Sequence, residues 1–170
     1  MQSRLRAASA AALLCATAAS AHAQYMMVVD STSDRVLLFD AHDGALVNAS
    51  FIVDDPTSAQ YNFQTPKDAI QVGDQVWVSD QLSDAVYRFD LNGNFVGAIS
   101  GGMDNIRGME LVGSTVYVTN AGTGNGAPGS ALVRFDTNGN PLGSFPVVSS
   151  PFDVIGFQGD LLVSSSDKDL

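Results

Sequence analysis

A unit of four short β-prone runs recurs along the chain. It is plainest where residues 69–72, 75–79, 85–90 and 95–99 follow one another. Gly73-Asp74 separates the first two runs and Asn92-Gly93 the last two. Asn-Gly between apolar runs predicts a type I′ hairpin, because both central residues of that turn need φ > 0. The repeat of this unit constrains the fold more than any single residue does.

A first copy occupies 25–30, 35–40 and 45–53. Residues 26–40 align with 76–90 without a gap, Val28-Val29-Asp30 on Val78-Ser79-Asp80 and Val36-Leu37-Leu38-Phe39-Asp40 on Val86-Tyr87-Arg88-Phe89-Asp90. This copy lacks the leading run, and 54–65 reads as a polar linker. A third copy takes 106–112, 115–120, 131–136 and 142–145, with a Gly-rich loop at 121–130 and Asn138-Gly139-Asn140 repeating Asn92-Gly93-Asn94. A fourth begins at 151–157, turns at Gln158-Gly159-Asp160 and continues through 161–165.

From Val76 to Val116 is 40 residues, and from Val116 to Leu161 is 45. A period of that length with four strands per unit is the signature of a β-propeller blade. A β-sandwich also spaces short strands with turns, but it does not demand the same turn chemistries in the same order. The expected fold is all-β, a propeller of four-stranded antiparallel blades at about 25–53, 66–100, 106–146 and 151–170. Thirteen runs make little more than three blades, whereas propellers typically have about 4–8 and close on themselves. The chain therefore reads as part of a six- or seven-bladed parent, the first blade's missing strand being supplied from beyond residue 170.

Residues 1–23 read as a secretory signal: Arg4 and Arg6, an uncharged apolar stretch over 7–19, then Ala21-His22-Ala23 as a small-x-small cleavage site. The apolar stretch is shorter than the roughly 20 residues a membrane span needs. Lipoprotein processing at Cys15 fits poorly, because the bulky Leu14 precedes it. Cleavage would remove Cys15, leaving no thiol or disulfide chemistry. It would also remove Arg4 and Arg6, so that 6 basic residues face 18 acidic ones. That charge argues against nucleic acid and anionic lipid as partners, since both would be repelled, and no integral membrane segment is expected after cleavage. Seventeen of the acids are Asp and only Glu110 is Glu. Asp serves turns by bonding its own backbone, so this choice suits a turn-rich β domain.

Val76-Trp77-Val78-Ser79-Asp80, Val86-Tyr87-Arg88-Phe89-Asp90 and Gly93 together resemble the blade of NHL-type six-bladed propellers. They are similar also to the wider group of gluconolactonases, streptogramin lyases and peptide-amidating lyases. Pro66, Val116-Tyr117-Val118-Thr119-Asn120 and Val133-Arg134-Phe135-Asp136 match parts of the same pattern. The resemblance implies blade architecture and leaves activity open, since functions are grafted onto such folds at individual sites.

In a four-strand meander the 1–2 and 3–4 turns share one end of the blade, and the 2–3 loops share the other with the starts of the first strands. Asp68, Asp80, Arg107, Asn120 and Asp153 fall on this second, channel-side face, opposite Gly73-Asp74, Asn92-Gly93 and Asn138-Gly139. These five are the candidate ligand-binding residues, for a protein or a small polar ligand. Asp68 and Asp153 are candidate Ca²⁺ ligands of the hard-oxygen kind. The competing reading has these carboxylates capping strand ends. Arg107 either pairs with Asp68 or Asp153 or holds an anionic ligand. Arg88 and Arg134 are expected to form exposed salt bridges with Asp90 and Asp136.

Past the signal the one histidine is His42, in a turn on the opposite face, which leaves no Ser-His-Asp set or multi-histidine zinc centre at the channel. The lyases of the related group use channel histidines, and a gluconolactonase-like site uses a metal held by Glu, Asn and Asp; neither pattern is visible. The expected function is a secreted or periplasmic binding module. The alternative is a metal-dependent hydrolase or lactonase of the gluconolactonase-like group, its site completed by further blades.

Overall fold

A computed structural model describes residues 24–167. The expectation of a signal at 1–23 lies outside them. The described residues form thirteen strands in four antiparallel sheets. Blade 1 is β1 (Tyr25–Asp30), β2 (Arg35–Asp40) and β3 (Leu46–Val53). Blade 2 is β4 (Pro66–Val72), β5 (Gln75–Asp80), β6 (Ala85–Asp90) and β7 (Phe95–Ser100). Blade 3 is β8 (Ile106–Val112), β9 (Thr115–Asn120), β10 (Ala131–Asp136) and β11 (Pro141–Pro146), and blade 4 is β12 (Pro151–Phe157) with β13 (Asp160–Ser165). Each sheet is a meander in sequence order. This is the propeller blade expected from the repeat, and among the described residues no helix is long and apolar enough to cross a membrane.

Blades stack face to face, and the core lies between them. β5 carries Val76 and Val78 on one face, packed with Val36, Ile52, Ala85, Tyr87 and Phe89 against blade 1. Trp77 points the other way, into Met103 of the segment between β7 and β8 and into Ile106, Met109, Val116 and Val118 of blade 3. Period-2 alternation thus buries both faces, and Trp77, Val78, Ser79 and Asp80 are all at 0% exposure. That is why Val76-Trp77-Val78 is apolar without a polar alternate position. Burying one such large side chain contributes about 1.5–3 kcal/mol.

The first strands of successive blades, β4, β8 and β12, lie side by side. All three break register at the same place, between Pro66 and Asp68, Ile106 and Met109, and Pro151 and Val154. A hydroxyl from each preceding blade bonds the first strand of the next: Ser31 Oγ, in the turn after β1, to the Pro66 carbonyl, Ser79 Oγ on β5 to Arg107 O at 2.5 Å, and Thr119 Oγ1 on β9 to Phe152 O at 3.3 Å.

Three sequence expectations are corrected. The Asn92-Gly93 turn is not type I′, because only Gly93 has a positive φ (84°). Asp90 Oδ1 instead accepts the N–H groups of Asn92 (2.8 Å) and Asn94 (2.9 Å), and Gly93 N–H donates to Asp90 O at 3.0 Å. A three-residue loop with its glycine in the left-handed region results. Among the two-residue hairpin turns of the described residues, both central residues have a positive φ only at Gln158 (51°) and Gly159 (91°).

The second correction follows from the first. Asp90 and Asp136 are occupied in their turns, so the salt bridges to Arg88 and Arg134 do not form. Arg88 Nη1 donates to Asn138 O at 2.9 Å, joining blade 2 to the blade 3 turn, and Arg134 Nη2 donates to Leu142 O at 2.8 Å. Among the described residues the ion pair is Arg35–Asp30, at 3.2 Å.

Third, the 54–65 linker has no strand, yet it is not merely polar. Phe63 is buried, and Tyr61 stacks on Phe95 with centroids 5.2 Å apart. Phe63 and Tyr61 cap the blade 1–blade 2 core alongside Tyr87 and Phe89.

Candidate functional site

The shared break in register sets two rows of residues across the starts of the first strands. One row is Lys67, Arg107 and Phe152; the next is Asp68, Gly108 and Asp153. All six line one depression of about 130 Å³. Of the five residues singled out by sequence, the structure brings together Asp68, Arg107 and Asp153. Lys67, Gly108 and Phe152 complete the set, and the blade alignment could have found them, since they occupy the same positions in adjacent copies.

The two carboxylates are held by backbone N–H groups. Asp68 Oδ1 accepts Ala69 N–H at 2.8 Å, and its Oδ2 accepts Met109 N–H of the next blade at 2.7 Å. Its own N–H donates to Ser79 Oγ at 3.1 Å. Burial pushes the Asp68 carboxyl up; the two N–H donors oppose this, and the charges of Asp153 and Glu110 add to it. Asp153 repeats the pattern, with Oδ1 on Val154 N–H at 2.8 Å and its N–H on Ser164 Oγ at 3.0 Å. Gly108 provides the room: a Cβ there would stand 2.2 Å from Asp153 Oδ1 and 2.7 Å from Asp153 Cα.

Arg107 lies with its guanidinium 5.3 Å from the Phe152 ring centroid, and Nη1 donates to Ser166 Oγ at 3.2 Å. It pairs with neither Asp68 nor Asp153. Phe152 is 49% exposed, so an aromatic face and a cation are presented together.

Asp80 and Asn120 do not join this surface. Both are at 0% exposure. Asp80 Oδ2 accepts Gln64 and Thr65 N–H at 2.8 and 3.0 Å, and Oδ1 accepts Ser83 N–H at 3.0 Å. Asn120 accepts from Asp104 N–H at 2.7 Å and donates to Gly122 O and Gly129 O at 2.9 and 2.7 Å. With every such group satisfied by loop backbone, they fix the 2–3 loops and the entries to the first strands, and present nothing to a ligand.

Ca²⁺ takes 6–8 oxygens. Asp68 and Asp153 supply two carboxylates already engaged by N–H donors, and among the described residues no three His, Cys, Asp or Glu side chains gather as a metal site. These residues do not by themselves fit that ion. A larger cavity of about 620 Å³ lies elsewhere, between blades 1 and 2, lined by Tyr25, Met27, Leu38, Phe51, Val76 and Leu91 among others. It is mainly apolar and holds none of the candidate residues.

No protein-family model and no curated protein matches the chain. Among solved structures the fold is similar to hydrazine synthase of Kuenenia stuttgartiensis, with 19% identity, 85% of this chain and 40% of that one covered, and a TM-score of 0.61. It is also similar to a protein of unknown function from Bacteroides caccae, with 16% identity, 84% and 54% covered, and a TM-score of 0.48. The chain spans about half the length, or less, of these structures. The first likeness is one of fold, compatible with propeller-like blades.

Proposed function

We propose that the chain is a binding module of an extracytoplasmic propeller of NHL type, and that the mouth formed by Lys67, Asp68, Arg107, Phe152 and Asp153 is its contact site. The observation that carries this reading is the exposed Phe152 ring held against the Arg107 guanidinium inside a depression lined by further charges. Arginine and aromatic residues are the side chains enriched at protein interfaces. About 130 Å³ is well below the roughly 300–1,000 Å³ of small-molecule pockets. The space suits one side chain or terminal group of a larger partner. Location outside the cytoplasm rests on the signal-like residues 1–23.

A photo-crosslinking phenylalanine analogue in place of Phe152, compared with the same group at Leu91 on the opposite face, tests the site. A discrete adduct formed only from position 152 is the expected result. Adducts from neither position, or equally from both, would discard the reading. The mass of the protein recovered from outside the cytoplasm should correspond to a chain beginning at Gln24.

A metal-dependent hydrolase is the second reading, favoured by one observation: Asp68 and Asp153 share the depression, and the charge of Asp153 adds to the burial that raises the Asp68 carboxyl. It requires additional oxygen donors. Calcium titration followed by thermal unfolding separates the two readings. If Ca²⁺ leaves the midpoint unmoved in the native chain and in Asp68→Ala plus Asp153→Ala alike, the metal reading fails.

A further inference from the structure

The mouth holds two carboxylates and two cations, but they are not equally available. Asp68 accepts a backbone N–H on each oxygen, and the Asp153 carboxylate lies against Gly108 with Oδ1 on Val154 N–H. Among the described residues Lys67 has neither an ion pair nor a hydrogen bond from its ammonium group, whereas Arg107 uses one donor, on Ser166 Oγ. Arg107 Nε is enclosed and has no acceptor. An arginine carries five N–H donors, and an enclosed donor left unpaired is destabilising. In a chain of net charge −10, two adjacent cations without carboxylate partners are conspicuous, because acids are available and are not used.

We infer that the mouth recognises a carboxylate group, taken between the Lys67 ammonium and the Arg107 guanidinium with the adjoining carbon chain laid on the Phe152 ring. The Phe152 face fixes the plane of the guanidinium and so the direction in which its remaining donors point. Lys67 contributes a point charge from the neighbouring blade, so the grip depends on the two blades keeping their spacing. The Ser79 bond to Arg107 O and the Asp68 bond to Met109 N–H maintain that spacing. This inference rests on the mouth being the contact site and adds what it contacts.

Succinate and 1,4-diaminobutane, titrated at constant ionic strength into the ¹⁵N-labelled full chain, distinguish the cases. Succinate is expected to shift the amides of Lys67, Arg107 and Phe152 saturably, and diaminobutane to leave them in place. Lys67→Gln or Arg107→Gln should weaken succinate about tenfold each, the scale of one charge-assisted hydrogen bond, with Arg107→Lys falling between. Unfolding followed by Trp77 fluorescence verifies that each variant is folded. Saturable shifts with diaminobutane alone would overturn the carboxylate assignment while leaving the mouth a binding site. Shifts with neither probe, or succinate shifts unchanged in Lys67→Gln plus Arg107→Gln, would overturn it also, and the crosslinking at position 152 then decides separately whether the mouth binds at all.

Discussion

Asp68 Oδ2 accepts the backbone N–H of Met109 at 2.7 Å, so a side chain of the first strand of blade 2 completes the backbone of the first strand of blade 3. The same carboxylate closes on its own strand through Ala69 N–H. Where β8 breaks register, Met109 N–H would lack a partner, and Asp68 supplies one. The residue singled out as a ligand for a metal is therefore also a clamp between blades.

Asp68→Ala leaves the Met109 donor unsatisfied and should cost about 1–3 kcal/mol in urea unfolding. Its pH dependence carries a sign. The Asp68 carboxyl is raised above the ordinary 3.8, chiefly by burial. Its contribution to stability is fully present below 3.8 and is lost as pH rises through the folded-state value. The gap between native chain and Asp68→Ala should be wider at pH 3 than at pH 7. A gap wider at pH 7 would contradict the assignment of burial as the dominant cause.

Ser79 both accepts Asp68 N–H and donates to Arg107 O. Ser79→Ala removes both bonds at a site of 0% exposure and should lower stability by about 1–2 kcal/mol. Ser79→Thr should be tolerated far better, because Thr119 holds the corresponding strand position one blade on and places its hydroxyl within bonding distance of Phe152 O, the counterpart of Arg107 O. Equal losses for the two substitutions, measured by thermal unfolding, would show that packing and not the hydroxyl matters here.

The strand runs were legible because blade stacking imposes period-2 burial and fixed turn residues, and several bounds coincide with the structure, as at Ala85–Asp90 and Thr115–Asn120. Side-chain partners were less legible. Asp90 and Arg88 are two residues apart in sequence, which suggested a pair, but the Asp90 oxygens are claimed by the N–H groups of its own turn. Asp80 and Asn120 lay on the right face, yet the depth of a residue along the stacking direction leaves no mark in a single strand. Phe63 was hidden for a related reason: an aromatic in an irregular segment carries no periodicity. The Lys67–Arg107–Phe152 row was visible as aligned positions, but only the common register break shows that they share a surface.

Gly108 is where the mouth is tightest. Gly108→Ala would force its Cβ to 2.7 Å from Asp153 Cα, a backbone contact that cannot rotate away. Overpacking of this kind costs about 1–3 kcal/mol. Asp153→Ala removes the 2.2 Å clash with Oδ1 but not the one with Cα, so the double variant should recover only part of the loss. Full recovery in a double-mutant cycle would place the strain in the side chain alone.

Asp90 and Asp136 give the opposite pH behaviour from Asp68. Each carboxyl is held below the ordinary 3.8, first by the side-chain amide two turn positions beyond the tip, Asn94 or Asn140, and then by the backbone N–H of the same residue. The stability they confer is present above 3.8 and is lost as pH falls through the lowered folded-state value. Asp90→Ala and Asp136→Ala should therefore lower the thermal midpoint most at pH 7, with the difference from the native chain closing in strong acid. Both turns are exposed, but the contacts are hydrogen bonds to fixed backbone and not long-range attraction, so 0.5 M salt, with a Debye length of about 4–5 Å, should leave most of the difference in place. A difference abolished by salt, or one that grows on acidification, would mean that the two turns are held by something other than these carboxylate–amide bonds.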